Sequence, residues 1–531
     1  MENLRNIIRR NKASLIVFAA IFSVGIFLRV YNFNGLLVFG FDQSRDAQLA
    51  KNIIENHQSL PLLGPHAMGT RFKLGPAYYY FQYLSAVIFG DRPQSLAYPD
   101  LLFSIATIPL LFFFLRKYFN KDVSLALAGL WSISFFAVKF SRFAWNPNSL
   151  PFFTLLLLYA LLEIADSEKG RHKNWWLAVA GIALGVGVQL HTLSLVILPV
   201  VAVLFIWSKV GLKERRAKYI AIIFAAALLL NVPQVVSEMK TGGRNTRDFI
   251  VGVKEELRNH TDLATNLFAD VSCHVQANSL IVSSYGDNVG CSFGDIFYKQ
   301  EGGFYYASLL GKIAFAFAFS VFGYLALFSF WKKPPAGKND DFIRLISMFV
   351  AVSFLAFFMV AVGMTDRYYL VFAFVPIVLL GLIYERFLKK IRYGKSIFII
   401  MLLVLAVQNA VTLKKYFTPF ERIGLMEDSM LSENRALANF ISVNVGTDRK
   451  AYISQKQGDW RILNYFLTGK VYLIHIGKNS GFLDQSVPYF LITDEAHKKT
   501  IIQAEQDLFG YAPAKQASFG TFIITEFLSQ K

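Results

Sequence analysis

The stretch FDQSRDAQLAKNII at 41–54 holds the chain's most chemically suggestive spacing. Asp42 and Asp46 stand four apart, so a helix would place both carboxylates on one face, with Arg45 between them. A guanidinium beside a carboxylate keeps it ionised and aims it, as a general base requires. The plainer alternative is an amphipathic helix capped by Asp42, with Leu49 and Ile53 packing.

Four more segments carry polar groups in apolar surroundings. In RFKLGPAYYY at 71–80, Lys73 precedes a Gly-Pro turn and a tyrosine run that includes Tyr78 and Tyr79. A cation there suits a lipid phosphate at the bilayer surface; the alternative is interfacial anchoring. In SRFAWNPNSLP at 141–151, Arg142, Trp145, Asn146 and Asn148 could face a cavity. Polar groups at membrane depth must be buried in protein or line water; otherwise the segment is a capped helix start. QLHTLS at 189–194 offers Gln189 and His191, and TDRYYLVFAFVP at 365–376 offers Arg367 and Tyr368. Those two could instead be a structural histidine and an aromatic belt with a snorkelling arginine. Phosphate-loop, zinc-protease and nucleotide fingerprints are missing from the sequence.

The elements that must position these residues follow from composition. The 531 residues are 54% hydrophobic and only 17% charged, with 52 Phe. So apolar a chain cannot cover itself with polar groups as three soluble domains would, and a polytopic helical membrane protein remains. Eleven apolar helices are expected, near 14–30, 96–115, 123–139, 148–165, 174–190, 193–208, 219–236, 305–330, 342–363, 368–384 and 396–413. Residues 76–90 are read as a short interfacial helix. Six basic clusters then share one side, from Arg5/Arg9/Arg10 to Arg386/Lys389/Lys390. Positive loops mark that side as cytoplasmic, which accounts for the net charge of +18 without nucleic acid. The N-terminus is therefore expected inside, and loops 31–95 and 237–304 outside.

Residues 1–413 are expected as the membrane domain. Residues 414–531, with helix-like and strand-like runs, are expected as a small external α/β domain. Cys273 and Cys291 share the second loop, where a disulfide is permitted; two free thiols are the alternative. His274 beside them is too irregularly spaced to argue for zinc. All five polar segments fall on the external face, and few ionisable residues fall near the middle of any expected span.

These residues resemble a known family. DQSRDAQLAKNII at 42–54, LGPAYYYF at 74–81, RFAWNPNSLPFF at 142–153, GVQLHTLSLVILP at 187–199 and RYYLVFAFVP at 367–376 resemble the GT-C glycosyltransferases. The group is that of the protein O-mannosyltransferases and the lipid A aminoarabinose transferase (glycosyltransferase family 39 and relatives). The resemblance covers about residues 10–390. It implies a sugar donor on a polyprenyl monophosphate, an acceptor hydroxyl on a glycan, lipid or protein, and inversion at the external face of a plasma membrane. The family's first-loop Asp maps onto Asp42, with Asp46 the second candidate. Many relatives carry an acidic residue around 146–148; this chain has WNPN, which leaves Asn146 or Asn148 to orient the acceptor. Arg45, Lys73 and Arg367 are the candidates for holding the phosphate. The group generally uses no divalent metal, so neither metal nor other cofactor is expected. Competing readings are a polymerase or ligase of lipid-linked glycans, a flippase of lipid-linked sugars and a non-catalytic binder. A transporter should show repeat symmetry and broken midplane helices, which the sequence does not suggest.

Overall fold

The computed structural model describes residues 2–67, 70–166, 171–259, 262–284, 303–333, 339–361, 364–418, 430–445, 450–453, 457–467, 472–475, 489–494, 513–519 and 522–527. From the N-terminus, α1 (Glu2–Val30) leads into the first loop, which holds α2 (Phe41–Glu55) and α3 (Ala77–Phe89). Next come α4 (Pro93–Arg116), α5 (Lys121–Ile133), α6 (Phe135–Lys139), α7 (Leu150–Asp166), α8 (Arg171–Leu190) and α9 (Thr192–Ser208). They are followed by α10 (Arg216–Leu230), α11 (Val232–Thr241), α12 (Arg244–Asn259) and α13 (Leu263–Ser283). Then follow α14 (Gly303–Lys332), α15 (Asp340–Phe358), a 3-10 segment (Asp366–Phe372), α16 (Val375–Ile383) and α17 (Gly394–Phe417).

Among the described residues, six helices are long and apolar enough to cross a membrane, and eight if two bent pairs each count as one. The bends are 68° between Lys213–Leu230 and Val232–Thr241, and 63° between Asp366–Phe372 and Val375–Leu388. In both, a proline sits just past the break, at Pro233 and Pro376, where it removes a backbone donor. Two further apolar helices, Asn174–Leu190 and Thr192–Ser208, are shorter. The span expected over 123–139 is not one helix. Ser134 is extended (φ −58, ψ 123) and separates α5 from α6.

A break at that depth needs substitute hydrogen bonds, because lipid offers none. Phe135 N donates to Asn409 Oδ1 (2.8 Å), and Ser134 Oγ donates to Ile281 O (2.7 Å). Asn409 Nδ2 in turn donates to Val282 O (2.9 Å). One amide on α17 thus joins the broken helix to the end of α13.

α13 lies within 237–304, the segment expected as a second external loop, and packs into the bundle. Its Cys273, Ala277 and Ile281 belong to the main apolar core. Asn266, Asp270, His274 and Asn278 are buried on it at four-residue spacing. These polar residues lower its hydropathy, which hides the helix from a search for apolar runs. Cys273 is disulfide-bonded, and Cys291 lies outside the described residues.

Close packing elsewhere uses small residues, as expected where lipid gives helices no hydrophobic reason to associate. A Cβ on Gly181 would come within 2.4 Å of Ala226 Cβ, and one on Gly185 within 2.8 Å of Ala227 Cα, so α8 and α10 meet at backbone distance. α1 and α17, by contrast, expose Phe27, Ile400 and Val407.

The C-terminal part has α18 (Leu431–Val445) and α19 (Gln457–Leu467) with β1 (Lys450–Ile453), β2 (Tyr472–His475), β3 (Tyr489–Asp494), β4 (Pro513–Phe519) and β5 (Phe522–Phe527). The sheet order is β2-β1-β3-β5-β4. β1 runs parallel to β2 and β3, while β5 runs antiparallel to β3 and β4. This is the α/β composition expected of the tail, with β4 an addition.

Replacing Asn409 by Leu should leave Phe135 N and Val282 O unpaired in an apolar setting. A cost of about 1–3 kcal/mol for each group is expected, read as a lower melting temperature in detergent. An unchanged melting temperature would show that the break is held by other means.

Candidate functional site

α2 is capped at Gly40, not at Asp42. Gly40 N donates to Gln43 Oε1 (3.0 Å), and Gly40 O accepts from Ser44 N. Asp42 is thereby left in the first turn with a side chain free for other partners, and the capping role expected as the plain alternative falls to its neighbour. Gln43 Nε2 also donates to Ala144 O (2.9 Å), which ties α2 to the WNPN segment.

Arg45 bridges the two carboxylates. Its Nη1 donates to Asp42 Oδ1 and its Nε to Asp46 Oδ1, both at 2.8 Å. The two acids differ in depth: the Asp42 side chain is 34% exposed, that of Asp46 only 1%. Asp42 Oδ2 accepts from Trp145 Nε1 (3.1 Å). Asp46 Oδ1 also accepts from the Tyr79 hydroxyl (3.2 Å), while its Oδ2 is buried with no hydrogen-bond partner. Burial pushes the Asp46 carboxyl up to about 6, against the lowering effect of Arg45. Burial, and then Asp46, push the Tyr79 hydroxyl well up, which keeps it a donor.

Trp145 is the hub to the other segments. Arg367 lies over its ring (5.3 Å to the centroid) and over that of Tyr368 (5.2 Å). Tyr368 meets His191 edge to face at 5.2 Å. His191 Nδ1 accepts from Leu193 N (3.2 Å), so Nε2 carries the proton of the neutral ring. Asn146 Nδ2 donates to Leu190 O (2.6 Å) beside His191. The ion pair of Lys139 with Asp366 (3.0 Å) pins the start of the Arg367 segment.

Lys73 sits on a hairpin closed by Gly64 N to Leu74 O (2.7 Å) and Leu74 N to Pro65 O (3.0 Å). Asn245 on α12 clamps its backbone from both sides, accepting from Lys73 N (2.8 Å) and donating to Lys73 O (2.9 Å). His66 is Lys73's cross-strand partner. Burial first, then Lys73 and Arg45, pull His66 below its usual value. A Cβ on Gly75 would come within 2.4 Å of Gln189, whose Oε1 accepts from Ala77 N at the start of α3.

The structure therefore gathers Asp42, Asp46, Arg45, Tyr79 and Trp145 directly, then Arg367, Tyr368, His191 and Asn146. Lys73 stands on the adjoining hairpin. Tyr78 lies one layer behind, its hydroxyl accepting from Gln82 Nε2 (2.7 Å). Arg142 is not in this group. Its Nη1 donates to Leu28 O and Arg29 O, and its Nη2 to Tyr31 O and Asn32 O. It closes the carbonyl end of α1. Asn148 turns inward as well, its Nδ2 donating to Phe143 O (2.8 Å). Among the described residues, no three His, Cys, Asp or Glu side chains group as metal ligands would.

Sequence reasoning missed Asp100 and His66. Asp100 is buried on α4. It accepts from Trp145 N (3.0 Å) through Oδ2 and from Ser149 Oγ (2.5 Å) through Oδ1, which sets the backbone that presents the Trp145 ring. An acid within an apolar helix was the available signal. His66 carried none, since its pairing exists only in the folded hairpin.

Residues 73–236 match the family model described as dolichyl-phosphate-mannose-protein mannosyltransferase. No curated protein sequence matches the chain. Among solved structures, it is similar to ArnT from Cupriavidus metallidurans in the apo state, with a TM-score of 0.56, 13% identity, and coverage of 97% of this chain and 98% of that one. The same relative bound to undecaprenyl phosphate gives a TM-score of 0.55 at 13% identity, covering 96% and 97%. The archaeal oligosaccharyltransferase AglB from Archaeoglobus fulgidus, in complex with an inhibitory peptide and a dolichol-phosphate, gives 0.57 at 13% identity, covering 98% of this chain and 75% of that one. The chain shares the fold of these structures, and its residues 73–236 match the dolichyl-phosphate-mannose-protein mannosyltransferase family model.

Proposed function

We propose that the protein transfers a sugar from a polyprenyl-monophosphate donor to an acceptor hydroxyl at the external membrane face, with inversion. The observation that carries this reading is the half-open Asp42 carboxylate, fixed by Arg45 and Trp145, with Arg367 over the Trp145 ring. The related structures bound to undecaprenyl phosphate and to a dolichol-phosphate support the choice of donor class.

Asp42 takes the proton of the acceptor hydroxyl. The acceptor oxygen attacks the anomeric carbon from the face opposite the phosphate. The bond from that carbon to the phosphate oxygen breaks, and the polyprenyl phosphate leaves with the electron pair. Phosphate is a good leaving group and needs cations more than an acid. Lys73 and Arg367 supply them, so the reaction requires no divalent metal. A placed general base contributes roughly 10²–10⁴-fold. Asp46 is too enclosed to meet an acceptor; it anchors Arg45.

The direct test is sugar release from polyprenyl-phosphate sugars in nanodiscs. Wild type should turn over. Asp42→Asn should lose about 10²–10⁴-fold in kcat with donor binding retained. Full turnover by Asp42→Asn would show that Asp42 is not the base.

The acid side of the pH profile should report Asp46. Below about 6 its carboxyl carries a proton and Arg45 loses one of its two anchors. Wild-type kcat/KM should therefore fall as pH drops through that value. Asp46→Asn should be slower but lack this limb; persistence of the limb would assign it to another group.

We place the N-terminus and the basic loops in the cytoplasm and the C-terminal α/β part outside, from the charge pattern. Lys333→Cys should react with an impermeant maleimide only in inside-out vesicles, and Val443→Cys only from the cell exterior. The reverse pattern would invert the site.

A further inference from the structure

The C-terminal α/β part meets the membrane bundle at the chain segment that leads into α2. Three successive odd-numbered carbonyls of that segment accept hydrogen bonds from it. Ser432 Oγ donates to Gly35 O (2.9 Å), Leu431 N to Leu37 O (2.8 Å) and Asn434 Nδ2 to Phe39 O (3.0 Å). Val38 and Met430 form a β-bridge between them. The side chains interlock too. Phe39 packs on Tyr465 and Phe466, each at 5.5 Å, and the Arg461 guanidinium covers the Phe41 ring at 4.8 Å.

The contact continues along α2. Ala47 and Ala50, on the helix face next to that of Asp42 and Asp46, join one apolar cluster with Phe39, Leu431 and Ile462. Alanines let α19 approach the α2 backbone closely. Helix α2 is thus held in front by Trp145 and Tyr79, and behind by a unit that begins almost 400 positions later in the chain. Phe39 immediately precedes Gly40, the cap residue, so Asn434 acts two peptide units before Asp42. It is fully buried, and the bond it donates is between elements, not within its own helix.

We infer that the C-terminal α/β unit is a clamp that sets the position of Asp42, with Asn434 as its main positioning residue. This rests on the transferase reading for its kinetic consequence, though the clamp itself is a property of the fold. A displaced base slows the proton transfer but leaves the phosphate site untouched, because Lys73 and Arg367 stand on other elements. The clamp should therefore act on kcat and spare the donor KM.

The test uses the full chain. Asn434→Leu removes the donor while keeping the number and branching of the side chain's heavy atoms. It should lower kcat about tenfold, the equivalent of roughly 1.4 kcal/mol in the transition state, with donor KM within about twofold of wild type. Ile441→Ala is the control: Ile441 is buried further along α18, so its truncation weakens the unit without removing a bond to the segment that leads into α2. It should lower the melting temperature yet keep wild-type kcat per folded molecule. Wild-type kcat in Asn434→Leu, or an equal loss in Ile441→Ala, would overturn the clamp. If wild type releases no sugar from any donor, it is the transferase reading that fails. The clamp is then read from amide exchange at 42–46, which Asn434→Leu should speed about tenfold and Ile441→Ala should not; equal rates in both would reject it.

Discussion

One guanidinium serves two carboxylates at different depths, and the site is arranged around that constraint. Arg45 must stay within 2.8 Å of both Asp42 and Asp46. The four-residue spacing on α2 makes this possible. Burying Asp46 is costly, and Arg45 and the Tyr79 hydroxyl offset part of that cost. Asp42, held at the rim by the same cation, is left accessible. A single cation thus keeps one acid as an anchor and presents the other to incoming molecules.

The surroundings repeat this logic with neutral groups. Asp100 holds the Trp145 backbone, Gln43 holds Ala144, and Gln189 holds the start of α3. Asp100 and Gln189 join the WNPN segment and the first loop to helices of the bundle, and Gln43 joins the first loop to the WNPN segment. Inside the bundle, Asn409 and Arg142 do the same for a helix break and a helix end. Where lipid replaces water, every irregular stretch of backbone needs such a partner, and polar side chains on neighbouring helices provide it. Irregular backbone is also what lets side chains from distant segments converge, so the site and the broken helices have a common cause.

Much of this was legible in the residues. The apolar runs marked the helices of the bundle, and the spacing of Asp42, Arg45 and Asp46 marked the pair on α2. Their inequality was not legible: Asp46 is buried by Tyr79, which arrives from α3, and Gly40 took the capping role that Asp42 seemed suited for. Arg142 looked like a site residue because it adjoins WNPN, but its four partners lie at the end of α1, more than a hundred positions earlier. α13 escaped notice because a helix with a buried stripe of Asp270, His274 and Asn278 is not an apolar run. In the tail, alternating strands such as YFLIT showed through, whereas PAKQASF has too few apolar residues to reveal β4. What pattern misses, in each case, is a partner supplied by another element.

The most direct measurement is the structure of the protein in nanodiscs with a polyprenyl phosphate bound, by electron cryo-microscopy. The account requires the phosphate between Lys73 and Arg367, within hydrogen-bond reach of at least one of them, with the Asp42 carboxylate open beside it and still held by Arg45. A phosphate bound at the opposite end of the bundle, near Lys332 and Arg386, would contradict it.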